Sequence, residues 1–154
     1  MTAKKNKTVK TENPFITTSQ LAQFNNGTNF RSYEFMGAIP AEIYGEKGYS
    51  FSVWAPNAYS VSVVGDFNGW STDAHPMNPQ GNSGVWHCFI KNVNEGQCYK
   101  FFIKCKDGST LYKADPYARF AQLAPETASV TYDVSGFAWT DEKWLECRSK
   151  TEPY

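Results

Sequence analysis

The sequence has no surplus of charge of either sign. Lys plus Arg and Asp plus Glu each number 15 among 154 residues, so the formal net charge at pH 7 is zero. A nucleic-acid-binding domain normally carries a basic excess, and a neutral chain has no large field to steer a charged substrate. No apolar run approaches the roughly 18 residues of a membrane-spanning helix. Lys4, Lys5, Lys7 and Lys10 are not followed by the apolar stretch of a secretion signal. The expected partners therefore include neither nucleic acid nor membrane, and the expected compartment is the cytoplasm.

Signatures of chemistry are also lacking. Cys88, Cys98, Cys105 and Cys147 form no CxxC pair and no Cys/His group with zinc spacing, so free thiols and no metal site are expected. His75 precedes Pro76 and His87 lies within an apolar run, and neither has an acidic or cysteine partner at a telling distance. Glycoside chemistry needs two placed carboxylates. Asp66, Asp107, Asp115 and Asp133 sit beside Gly or Pro, or on the polar side of a strand, as turn residues do. No GxSxG, P-loop or GxGxxG string occurs. The chain offers no active site of its own and no cofactor motif.

Aromatic residues are abundant, at 16% of the chain. A surplus of rings without a surplus of charge suits packing or recognition of neutral ligands. Residues 1–18 are polar and read as a disordered tail, and 19–48 as an N-terminal extension. A short helix is expected over Ser19–Asn25, with Thr18 or Ser19 as cap and Gly27 closing it. From Tyr49 short strands alternate with turns. Phe51 and Val53 oppose Ser50 and Ser52. Ser60–Val64 and Val85–Ile90 follow, and then Gln97–Lys106 places Tyr99, Phe101 and Ile103 opposite Lys100, Phe102 and Lys104. Thr110–Lys113 pairs back across the Asp107-Gly108 turn. Ala128–Val134 closes the set, with Ser129, Thr131 and Asp133 on its polar face. The fold class implied is all-β: an immunoglobulin-like antiparallel β-sandwich over 49–135 with irregular N- and C-terminal extensions. Trp139, Trp144 and Leu145 fall in the segment 136–154, which has room for a short helix.

The stretch VVGDFNGWSTDAHPM, Val63–Met77, follows a β-branched run with a turn signal at Asn68-Gly69 and then Trp70. Lys100, Ser129 and Thr131 lie on polar strand faces, and Tyr112 follows the Asp107-Gly108 turn. If these faces belong to one sheet, rings, an ammonium and hydroxyls converge. Flat rings stack on the C–H faces of sugars while polar groups bond the hydroxyls, a combination suited to a neutral glucan. The competing reading is that Trp70 and Tyr112 are core residues.

The same residues carry a resemblance. FSVWAPNA at 51–58, VVGDFNGW at 63–70, GVWHCFI at 84–90, YKFFI at 99–103 and KADPYA at 113–118 occur in order. Together they resemble the amino-terminal module of 1,4-α-glucan branching enzymes, carbohydrate-binding module family 48. SYEFMGAIP at 32–40 resembles the segment preceding it. The resemblance implies a β-sandwich and a sugar site at Trp70, Lys100 and Tyr112, the last standing where the related kinase-subunit modules have tryptophan. It adds a polar trio near Thr127, Ser129 and Thr131. The implied partners are an α-1,4-glucan polysaccharide and the enzyme's own catalytic barrel. The barrel and its carboxylates are not in this chain, so 136–154 reads as a linker toward it. Two roles follow: a non-catalytic glucan-binding module of a branching enzyme, or a structural docking module of an α-amylase-family enzyme with little sugar affinity.

Overall fold

Runs of alternating large apolar residues become strands of two antiparallel sheets in the computed structural model, which describes residues 14–148. The first sheet has the order β1 (Gly37–Ile43), β2 (Glu46–Trp54), β5 (Val85–Lys91), β4 (Asn78–Pro79). The second has β3 (Ala58–Gly65), β6 (Cys98–Cys105), β9 (Ser129–Val130), β8 (Phe120–Ala121). β7 (Thr110–Lys113) pairs with the later half of β6, while β9 pairs with its beginning at Cys98 and Tyr99. Between the sheets lie Tyr49, Phe51, Val53, Cys88 and Ile90 from one side and Val61, Val63, Tyr99 and Phe101 from the other. Phe51 meets Tyr99 edge-on at 5.2 Å between centroids. Each such fully buried side chain contributes about 1.5–3 kcal/mol. The all-β sandwich expected from the sequence is the observed fold.

Several boundaries differ from expectation. The first sheet already includes Gly37–Ile43, within the segment assigned to an N-terminal extension. Pro40 hides this strand from a propensity reading, but β1 is an edge strand and an edge tolerates a residue without N–H. Tyr44 and Gly45, both with positive φ, turn β1 into β2.

Ser50 and Ser52 were expected to face water, and both are buried. Ile16, Phe35, Met36 and Val85 form a second cluster with Phe15, Leu21, Phe24 and Tyr117, and this layer covers the far face of the first sheet. Phe15 stacks on Phe89 at 5.9 Å. The expected tail 1–18 is therefore packed from Phe15 onward, and its residues 1–13 lie outside the described residues. Helix α1 spans Thr18–Asn25, capped one residue earlier than expected. Thr17 and Gln20 form a capping box, with the Thr17 N–H donating to Gln20 Oε1 at 2.9 Å and the Gln20 N–H to Thr17 Oγ1 at 3.2 Å. Helix α2, Glu142–Arg148, buries no side chain, and residues 149–154 lie outside the described residues.

Candidate functional site

The site begins with the loop after β3. Gly65 is required there: a Cβ would stand 2.4 Å from the Cys98 carbonyl oxygen. The turn was expected to place positive φ at Asn68-Gly69. The observed positive values fall on Gly69 and Trp70, at 59° and 61°. Asn68 instead acts through its side chain. Its Oδ1 accepts from the Gly65 N–H at 3.0 Å, and its amide donates to the Val63 carbonyl at 2.9 Å and to His75 Nδ1 at 2.8 Å. A left-handed conformation costs a non-glycine residue about 1–3 kcal/mol. Here that strain sets the direction of an indole.

Trp70 is 38% exposed, neither a core plug nor a free ring. Its indole N–H donates to Asp66 Oδ1 at 3.1 Å, and Asp66 Oδ2 accepts the Cys98 N–H at 2.7 Å. Asp66 thus ties the ring to the start of β6. Two residues on, Lys100 projects from the same outer face of the second sheet, opposite Val64. Its ammonium donates to Thr127 Oγ1 at 2.8 Å, leaving protons for a ligand. Phe102 continues that face opposite Tyr112, which lies over it with centroids 4.9 Å apart and is half exposed. Lys100, Tyr112 and, through its bond to Lys100, Thr127 thus share the outer side of the second sheet, while Asp66 ties Trp70 to the start of β6.

Ser129 and Thr131 do not. Pairing sets Ser129 opposite Tyr99, so it points into the sandwich, the reverse of the expected facing, and Val130 takes the outer position beside Cys98. Both hydroxyls are buried and committed. Ser129 Oγ accepts the Asp115 N–H at 2.8 Å, and Thr131 Oγ1 accepts the Gln97 N–H at 3.0 Å and donates to the Asn94 carbonyl at 2.8 Å. Only two residues of the expected 128–134 strand pair as a strand.

Sequence reasoning missed Asp66 as the support of the ring. The Asp-x-x-x-Trp spacing across a turn was the available signal. Asp115 keeps its expected structural role. Its buried carboxylate accepts the Tyr99 O–H at 2.6 Å and the Tyr117 N–H at 2.8 Å. Burial raises its pKa, against the lowering effect of these bonds. Among the described residues no group of His, Cys, Asp or Glu is arranged to hold a metal ion. Among the described residues, no cysteine forms a disulfide.

The second sheet thus presents Lys100 and Tyr112 on its outer face, and Asp66 anchors Trp70 to the start of β6. The family model described as carbohydrate-binding module 48 (isoamylase N-terminal domain) matches residues 35–118, more than half the chain, and the chain belongs to that family. It is 50% identical over 132 residues to a 1,4-alpha-glucan branching enzyme GlgB of Butyrivibrio fibrisolvens, covering 86% of this chain and 21% of that one. With the Bacillus subtilis enzyme of the same name it shares 44% over 121 residues, covering 79% and 19%. The chain spans about a fifth of the length of these relatives. Among solved structures it is similar to a pullulanase from Bacillus acidopullulyticus, with 25% identity and a TM-score of 0.51 over 64% of this chain and 12% of that one. A Klebsiella pneumoniae pullulanase complexed with maltotriose gives 26% and 0.51, over 64% and 9%.

Proposed function

We propose that this module holds α-1,4-glucan, glycogen or starch, on the surface formed by Trp70, Lys100, Thr127 and Tyr112. Its parent enzyme makes α-1,6 branches by transferring α-1,4 chains, and works in the cytoplasm. The observation that carries the reading is the Trp70 ring, strained at its backbone, fixed by Asp66 and left partly open. A glucose unit laid on the indole covers apolar C–H surface, while the Lys100 ammonium donates to a ring hydroxyl. The site is shallow, so the expected affinity is about 10 µM to 1 mM, or roughly −4 to −7 kcal/mol. Ser129 and Thr131 are left out of the site because their hydroxyls face inward. The branching enzymes among the relatives support the choice of glucan.

A second role rests on a separate observation. Phe137, Trp139 and Trp144 are largely exposed and α2 buries nothing. Patches of this kind mark interaction surfaces, and the partner here is the catalytic barrel of the same enzyme. Tyr117 takes no part in this surface and packs into the N-terminal cluster. Affinity electrophoresis in gels containing glycogen tests the main reading. The chain should be retarded and its Trp70→Ala variant clearly less so, whereas equal migration of the two would remove the sugar site from this surface.

A further inference from the structure

The sandwich carries a second open tryptophan on its other side. Trp54 ends β2 on the face that carries Ser50 and Ser52, in the first sheet, whereas Trp70 is tied through Asp66 to β6 of the second. A groove of about 730 Å³ opens at Trp54, between the end of α1, the end of β2 and the turn 80–84 leading into β5. That lies within the roughly 300–1,000 Å³ of small-ligand clefts.

The ring is held in place rather than loosely displayed. Phe24 meets it edge-on, with centroids 6.3 Å apart and planes at 72°. Gly84 lets the turn close on it: a Cβ there would stand 3.0 Å from the indole nitrogen and 2.8 Å from Pro56 Cβ. Even so, Trp54 is 54% exposed. Trp86 lines the groove beside it, with its own indole N–H donating to the Ala55 carbonyl at 3.0 Å.

Among the described residues, no charged side chain lines the groove, so they offer an ionic ligand no counter-charge there. A purely apolar partner would strip water from the exposed Asn25 and Asn82 amides without replacing it, at a cost in free energy. A neutral polyhydroxyl chain meets both conditions, with its C–H face on Trp54 and its hydroxyls on the amides. We propose that this groove is a second α-glucan contact, taking a different stretch of the polymer from the Trp70 surface. The choice of α-glucan as ligand rests on the function proposed above, but the location of the groove does not. Two contacts on opposite faces strengthen binding to a branched polymer beyond that to a short oligosaccharide, because the second engagement is intramolecular.

The indole N–H signals of Trp54, Trp70 and Trp86, followed separately by heteronuclear NMR during titration with maltoheptaose, test this. Trp54 and Trp86 should move saturably, and they should do so unchanged in Trp70→Ala. Asn82→Ala, in an exposed turn, should weaken the Trp54 response several-fold and leave that of Trp70 alone. A Trp54 signal that stays fixed while Trp70 saturates overturns this inference and leaves the function proposed above standing. Movement of Trp54 with a fixed Trp70 does the reverse, and two fixed signals overturn both. An equal Trp54 response to cellohexaose would overturn the assignment to α-glucan.

Discussion

The indole N–H of Trp70 donates to Asp66 Oδ1 at 3.1 Å, so a partly open ring is oriented by a carboxylate four residues earlier. The other oxygen of Asp66 holds the Cys98 N–H at 2.7 Å, which couples the loop to β6. Asp66→Ala releases both. A bond to a charged group in a solvent-exposed setting is worth about 1–2 kcal/mol. Urea unfolding should show a loss of that order, and maltoheptaose affinity should fall by roughly 3–10-fold. A stability loss with unchanged affinity would mean that Asp66 serves the fold and not the site.

Lys100 acts on a neutral ligand. Lys100→Met removes a donor but keeps much of the apolar stem, and should weaken maltoheptaose binding by roughly 3–10-fold. Salt screening has little to act on, so wild-type affinity should change by less than about twofold between low and high salt. A steep fall with salt in calorimetric titrations would mean that charged groups, not ring stacking and neutral hydrogen bonds, govern binding at this site.

Ser129 and Thr131 give the opposite pattern. Ser129→Ala removes the acceptor of the Asp115 N–H, and Thr131→Val breaks the bonds to Asn94 and Gln97. Each should cost about 1–3 kcal/mol of stability and leave glucan affinity unchanged. Thermal melts and titrations of the folded variants at low temperature separate the two effects.

The facing of these two residues also shows where the sequence stops being legible. Alternation over 97–106 identifies β6 well, because its inner residues Tyr99 and Phe101 are large and its outer ones include Lys100. In 128–134 small polar and apolar residues alternate too, but the inward set is the polar one. Ser129 and Thr131 fill hydrogen-bonding roles around Asp115, Asn94 and Gln97 that no local pattern announces. The same limit hid the burial of Ser50 and Ser52, which depends on a covering layer from Phe15 to Phe35, distant in sequence. Trp70 and Lys100 were legible because a turn and a strong strand fix them locally. Asp66 was visible only as a turn residue.

Acid should weaken the fold through His87. Burial lowers its pKa from 6.5 to about 4, and the ring is within 2.9 Å of Ser50 Oγ. The unfolded chain binds the proton near pH 6.5 and the folded chain only near pH 4. The stability contribution is therefore present above 6.5 and lost as pH falls toward 4. At about 1.36 kcal/mol per pH unit its full size is about 3 kcal/mol. Asp115, raised by burial, acts in the opposite sense at the acid end and offsets part of the loss. Urea titrations from pH 7 to pH 4 should show declining stability in the wild type and a shallower decline in His87→Gln. Identical slopes would contradict the assignment.

The segment from Gly136 onward should exchange its amide hydrogens quickly. α2 buries no side chain, while Tyr99 and Phe101 of β6 are fully buried. Hydrogen exchange should label 140–148 rapidly and 98–105 slowly. Protection of both segments at the same level in the monomeric chain would mean that the C-terminal rings complete the module's own core, and the docking role would be abandoned.

Calorimetric titration of maltoheptaose into the chain and into Trp70→Ala tests the central claim most directly. The wild type should bind with a Kd of about 10 µM to 1 mM, and Trp70→Ala, folded by circular dichroism, should lose at least tenfold of the affinity at that surface. If the two bind with the same affinity and stoichiometry, the surface of Trp70, Lys100, Thr127 and Tyr112 is not where this module holds glucan.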